Sequence, residues 1–353
     1  MKDKRPRIKE RNIIKNKIMD GFQNLDFTKI PIPSIEIPDV VKNLDPMKNY
    51  IPHSVLILGN GFDLDLGIRT KYKEFAGDNN YWPFKESSSF EKDSLPFFLN
   101  KHKSQVDTWF DLEELLACYA SENKVLSKEK ISQAKQDFSI LSRALKEYLI
   151  KQEEDFVELM HNSMGNAKRM TAAHKVLQLF LKKRVRSIYT FNYTNTFRIA
   201  NQLILKFEGV FNHVHGSTID DNIILGAGDQ RQIKDVFFEF YKSASPFYKS
   251  NNLVEDLNNA DEVYIFGHSL GKNDHDYFSE FFKMASKNVH RPFVPGKIKV
   301  RIFTLDDKSE IEIKKQLMTL TENHLIGLYA HCDFKILKTD NKYQEWMSHD
   351  EFV

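Results

Sequence analysis

The chain has 353 residues, 41% hydrophobic and 28% charged, with a net charge of +2 and two cysteines. This is enough chain for one large domain or two ordinary ones with a real core, and its balanced charge gives no reason to expect nucleic acid or an anionic membrane as a partner. Cys118 and Cys332 cannot build a disulfide framework or a four-cysteine zinc site. No apolar run approaches the ~20 residues that span a bilayer, and the basic start lacks the apolar stretch of a secretory signal, so the expected setting is reducing and cytoplasmic.

Residues 1–50 read as a basic N-terminal extension. Its run Ile30-Pro-Ile-Pro-Ser-Ile-Glu-Ile-Pro38 favours extended, non-helical chain. The remainder, 51–353, reads as one α/β domain. Ser54–Leu58 is a short apolar run ending in Gly59-Asn60-Gly61, the pattern of a buried parallel strand feeding a tight turn. Leu66–Phe75 reads as a loop and a short helix. A helical insertion is expected over about 80–182. There Trp109, Leu112, Leu116 and Tyr119, then Phe138, Leu141, Leu145 and Tyr148, then Val176, Leu179 and Phe180 recur at helical spacing, and Gly and Pro are scarce. Within it, Trp109 and Glu113 are assigned core and surface roles, with a reach into the pocket as the alternative.

After the insertion, Val185–Tyr189 reads as a strand and Thr196–Phe207 as a helix. Val210-Phe211 opens a short strand into His213. The apolar run Asn222–Leu225 leads to Gly226-Ala-Gly-Asp229. Glu262–Phe266 is a strand ending in Gly267-His-Ser-Leu-Gly271. Tyr277, Phe278, Phe281, Phe282 and Ala285 then mark a helix. Lys299–Leu305 is a strand ending in Asp306-Asp307, and Ile313, Leu317 and Leu320 mark another helix. Strands alternating with helices imply a doubly wound, mostly parallel, Rossmann-like sheet. In such sheets ligands bind at the carboxyl ends of the strands, and four of the ends here carry Gly, Asn, His or Ser.

Each of these ends has competing readings. Gly59-Asn60-Gly61 is half a dinucleotide fingerprint without its third glycine, so a structural turn competes with a phosphate or ribose site. Asp63 would repel a phosphate, and is expected to bond a ribose hydroxyl or brace the turn. Asn192, Thr194, Asn195 and Thr196 can all cap the following helix. His213 and His215, two apart on a strand, would face one side, but a catalytic metal wants a third ligand. Acid–base chemistry is preferred there, and no metal is expected. Gly267-His-Ser-Leu-Gly271 fits a nucleophile elbow, with Ser269 as nucleophile, Asp306 or Asp307 as acid and His324 or His331 as base. The polar run that follows it favours instead a turn in which Gly267 and Ser269 contact a ligand. There is no P-loop.

Taken in order, Gly59-Asn-Gly-Phe-Asp-Leu, Gly67-Ile-Arg-Thr-Lys-Tyr, Phe191-Asn-Tyr-Thr-Asn-Thr, His213-Val-His-Gly and Gly267-His-Ser-Leu-Gly resemble the AbiH family of phage abortive-infection proteins. The same series is similar to a diverged sirtuin-type NAD-binding fold. That resemblance implies an NAD hydrolase with Asn192 and His215 as catalytic residues. The implied substrate contacts are Gly59, Asn60, Gly61, Asp63, Thr194, His213, Gly267, Ser269 and Asp306. Thr194 and Arg69 depart from the sirtuin pattern, and the paired Cys-x-x-Cys of protein deacylases is absent, which disfavours a deacylase. The expected function is a defence effector that cleaves NAD and so limits phage growth. A homo-oligomer or a defence partner protein is expected, with a phage-derived trigger. The alternatives are a serine hydrolase centred on Ser269 and a non-catalytic nucleotide-sensing or partner-binding module.

Overall fold

The computed structural model describes residues 52–85, 90–103, 109–122, 126–162, 171–183, 187–204, 210–219, 222–249, 251–288 and 296–340. The N-terminal extension lies outside the described residues, as does the side chain of Trp109.

The continuous apolar runs become the central strands β1 (Ser54–Leu58), β2 (Ser187–Thr190), β4 (Glu262–Phe266) and β5 (Lys299–Thr304), which are buried on both faces, and β3 (Phe211–His213) and β6 (Asp333–Lys338) are the less buried strands at the edges. They form one sheet in the order β3-β2-β1-β4-β5-β6, each neighbouring pair parallel. The strand order reverses between β1 and β4, which puts the topological switch point there.

Between β1 and β2 come α1 (Gly61–Asp65), α2 (Tyr72–Gly77), α3 (Leu95–His102), α4 (Trp109–Ser121), α5 (Lys128–Asn162) and α6 (Ala172–Lys183). Then α7 (Thr196–Leu203) links β2 to β3, and α8 (Leu253–Asn259) precedes β4. Next, α9 (His275–Ser286) links β4 to β5, while α10 (Asp307–Leu320) and α11 (Leu325–His331) link β5 to β6.

The period-2 alternation of the strands divides the core. Val55, Ile57, Val263, Ile265, Val300 and Ile302 pack on one face against Phe278, Phe281 and Phe282 of α9 and Leu317 of α10. Leu56, Leu58, Tyr264 and Phe266 pack on the other against Val176, Leu177 and Phe180 of α6 and Ile199 of α7. The insertion has a third core of its own, including Tyr72, Phe75, Leu112, Leu116, Leu141, Leu145 and Tyr148, and this core also takes in Tyr193, Leu225, Phe237 and Phe240. Those last residues lie at or beyond the carboxyl ends of β2 and β3, so the insertion is packed onto the carboxyl edge of the sheet, the edge at which open α/β sheets bind ligands. Further contacts tie it there: Tyr148 donates to the Arg69 carbonyl at 2.7 Å, and Phe138 stacks on Phe240 with centroids 4.4 Å apart.

Some elements differ from the sequence expectation. The run at Asn222–Leu225 forms no strand; Ala227 makes only an isolated bridge with Tyr241. The helix from Thr196 stops at Leu203, because Ile204 turns to extended geometry (φ −133°, ψ 117°). The strand β6 and the helices α8 and α11 were not anticipated. The two helices are short and show no clear period, and in β6 Lys335 interrupts the apolar residues Phe334, Ile336 and Leu337.

Candidate functional site

The turn after β1 and the turn after β4 meet at the switch point. Gly61 donates its N–H to the Gly267 carbonyl at 2.8 Å, and Gly59 donates to Phe266 at 3.0 Å. A Cβ on Gly61 would sit 2.6 Å from the Gly267 Cα, and Gly267 itself holds φ +63°. These glycines are therefore required for backbone-to-backbone packing, and the Gly59 and Gly61 amides expected to meet a phosphate already have partners within the fold. Asn60 clamps the loop before α2, donating to the Thr70 carbonyl at 3.2 Å and accepting from the Thr70 hydroxyl at 2.7 Å.

Beside this junction lies a first polar cluster. Asp63, in α1 and 1% exposed, accepts from Asn192 Nδ2 at 3.0 Å and from Thr194 Oγ1 at 2.7 Å. Burial pushes its carboxyl up to about 7, against the pull of the Thr194 and Asn192 hydrogen bonds and with added repulsion from Glu153. Asn192 is 4% exposed, and its Oδ1 has no hydrogen-bond partner among the described residues. The backbone carbonyl of Asn192 lies 3.2 Å from His213 Nδ1. Helix capping falls to Asn195, whose side chain accepts from Arg198 N–H, so Asn192 and Thr194 are not used as caps. Glu153 of α5 closes this side, accepting from the Asn195 N–H at 2.9 Å and the Thr218 hydroxyl at 2.6 Å. Burial raises its pKa too.

A second cluster forms around Asp274, which lies between the β4 turn and α9. His215 Nε2 lies 3.3 Å from Asp274 Oδ1, and His268 Nε2 lies 3.3 Å from Asp274 Oδ2. His268 Nδ1 accepts from the Leu270 N–H at 2.9 Å, so Nε2 is the protonated nitrogen facing Asp274. Lys242 Nζ pairs with Glu113 Oε1 of α4 at 2.9 Å, sits 3.6 Å from Asp274 and is 3.5 Å from both ring nitrogens of His215. Asn273 donates to the other Glu113 oxygen at 2.9 Å.

The electrostatics follow from these neighbours. Burial alone would raise Asp274, but Lys242 and the two histidines outweigh it and hold the carboxyl well below the usual range. Burial opposes the Lys242 charge, yet Glu113 and Asp274 prevail and raise its pKa. His215 is lowered, by burial first and Lys242 next, with Asp274 opposing. His215 is thus a buried imidazole with a lowered pKa and a carboxylate beside its Nε2. Phe191 joins the two clusters: its ring lies edge-on to His215 at 5.1 Å and to His268 at 4.3 Å.

Several sequence expectations change here. Glu113 is a buried member of the second cluster and has no surface role. Its helix periodicity gave no sign of Lys242, some 130 residues away in an irregular segment. The pairing of His213 with His215 on one face does not occur: β3 ends at His213, and the chain turns through Gly216 at φ +73°. The two rings go to different partners, and among the described residues no group of three His, Cys, Asp or Glu side chains is arranged to hold a metal. The nucleophile elbow does not form either. Ser269 is exposed, the left-handed residue is Leu270 (φ 52°), and a 3₁₀ turn precedes α9. Asp306 caps α10, accepting from the Ser309 N–H and hydroxyl, each at 2.8 Å.

The family model for bacteriophage abortive infection AbiH matches residues 55–294, more than half of the chain. The chain belongs to the AbiH family. No curated protein matches it. Membership carries a general role in defence against bacteriophage, and all four polar strand ends of this AbiH protein fall inside the matched span. Among the described residues no helix is long and apolar enough to cross a membrane.

Proposed function

We propose that this AbiH protein is an abortive-infection effector that hydrolyses NAD at the nicotinamide–ribose bond, releasing nicotinamide and ADP-ribose. The observation that carries this reading is the Asn192 amide. It is buried at the end of β2, held at Nδ2 by Asp63, and without a partner at Oδ1 among the described residues. The strand order supports the same reading, since dinucleotides bind at the switch point of such sheets.

The chemistry is coherent with these groups. Cleavage passes through an oxocarbenium-like state, and the leaving nicotinamide departs as a neutral ring, so no general acid is needed. The attacking water must lose a proton. His215, whose lowered pKa keeps the ring unprotonated at neutral pH, is assigned that proton, and Asp274 orients the imidazole. Asn192 orients the sugar or the water. His213 is assigned a contact to the ribose, and Ser269, exposed on the β4 turn beside Gly267, a contact to the distal part of the nucleotide. Asn192 and His215 are both buried beneath the insertion, which fits an effector held inactive until a phage-derived trigger, a partner protein or assembly displaces it.

The test is NAD content in infected cells carrying the native protein or Asn192→Ala. Depletion with nicotinamide release by the native protein only is the expected result. Phage protection with constant NAD would overturn the reading, and nucleotide binding without turnover would recast the protein as a nucleotide sensor.

A further inference from the structure

Asp63 was expected to bond a ribose hydroxyl or to brace the turn, and each of its oxygens accepts a hydrogen bond from the neighbouring strand end, one from Asn192 Nδ2 and one from Thr194 Oγ1. With both oxygens accepting, the atom of Asn192 that faces Asp63 is the NH₂ group, and the carbonyl Oδ1 is left at the opposite end of the amide. Ionisation of Asp63, whose pKa burial raises to about 7, removes its only possible donor and enforces that polarity. That oxygen is buried and without a partner among the described residues, an unfavourable state that a ligand donor would relieve. An amide can either donate or accept; here its polarity is set by its neighbour.

We infer that Asp63 is a positioning residue that fixes the Asn192 amide so that Asn192 acts on the substrate as an acceptor, its partner being an O–H group, either a sugar hydroxyl or the attacking water. The inference rests on the reading of Asn192 as a site residue. It goes further in assigning the sign of the hydrogen bond: the complementary ligand atom must carry a proton, so a phosphate oxygen or a carbonyl is excluded at this position.

The geometry allows a reciprocal exchange. In Asp63→Asn, where the new amide keeps its oxygen on the Thr194 hydroxyl, two NH₂ groups confront each other and the Asn192 amide is driven to flip and present a donor; where the new amide turns over, it donates to the Thr194 hydroxyl, which accepts in its place. In Asn192→Asp two carboxylates would meet in a buried space. In the double variant Asp63→Asn/Asn192→Asp the bond is restored in reverse. The amide introduced at position 63 keeps its oxygen for Thr194 and donates to the carboxylate introduced at position 192. The second oxygen of that carboxylate is again an acceptor toward the ligand.

Phage protection in cells and nicotinamide release in vitro are measured for the native protein, both single variants and the double variant, with urea denaturation confirming that each folds. Each single variant is expected to lose about 10²–10³ in rate, as for removal of an oriented transition-state hydrogen bond. The double variant is expected to recover to within about tenfold of native. A rise in KM for the Asp63→Asn variant assigns the O–H group to the sugar; a fall in kcat with KM kept assigns it to water. A folded double variant as inactive as the singles would overturn the inference, because the carboxylate then at position 192 accepts but cannot donate. If the native protein releases no nicotinamide while protection still follows the exchange pattern, the NAD reading falls and the positioning role of Asp63 stands.

Discussion

Asp63 and Asp274 are both carboxyls buried at the same sheet edge, and they sit at opposite ends of the pKa scale. Asp63 has only neutral donors, Asn192 and Thr194, and burial drives it up to about 7. Asp274 has the Lys242 ammonium at 3.6 Å, and it is held well below the usual carboxylate range. Burial disfavours the charge in both, so the Lys242 cation, helped by His215 and His268, decides the outcome. The Asp63 cluster can change protonation near neutral pH. The Asp274 cluster is permanently ionic, and joins the insertion to the β3 and β4 ends through Glu113.

Removing the cation should break this contrast most severely. Lys242→Met leaves Glu113 and Asp274 buried without their cation, and is expected to destabilise the fold by about 3–5 kcal/mol. Urea denaturation measures this; a loss below ~1 kcal/mol would mean that water reaches the cluster. Next in size is Asn192→Ala, expected to lower nicotinamide release by about 10²–10³ with stability largely kept. His215→Ala should suppress turnover more than His213→Ala, because His215 has the orienting carboxylate; equal losses restored by a divalent metal would favour a metal role for the pair.

The pH dependence of stability sharpens the comparison. The folded pKa of Asp63 is raised from 3.8 to about 7, so the native state binds the proton more tightly than the unfolded chain does. Its contribution is complete below about pH 4 and is lost as pH rises through about 7, with a magnitude on the order of a few kcal/mol. The difference in stability between Asp63→Asn and the native protein should therefore shift in favour of the variant from pH 5 to pH 8, as read by urea denaturation across that range. A difference independent of pH would show that Asp63 is ionised throughout. Asp274 contributes no such slope there. The smallest expected effect is at Ser269, on the exposed turn. Ser269→Ala should raise KM for NAD by roughly tenfold, the loss of one ligand hydrogen bond, with kcat kept. A fluorophosphonate should leave Ser269 unlabelled.

The local signals in the sequence carried a long way. Ser54–Leu58 and Glu262–Phe266 are continuous apolar runs bounded by glycine, and both form strands at those limits. Parallel strands buried on both faces leave such runs because no position may be polar. The four polar strand ends were visible for the same reason: the first residues past a buried strand are where polarity returns. Tertiary structure alone decided what those ends do. The glycines after β1 left a structural turn and a phosphate or ribose site as competing readings, and they form a packing contact because Gly267, some 200 residues away, approaches to within the width of a Cβ. Glu113 looked like a surface residue on α4, and Lys242 carried no signal at all. Their pairing depends on the insertion folding over the sheet edge, and a charge shows no periodicity that reveals its partner. The pKa of Asp63 and the polarity of the Asn192 amide are set in the same way, by groups brought together across about 130 residues of chain. Strands are specified by what neighbouring residues have in common. A site depends on distances that exist only once the chain has closed on itself.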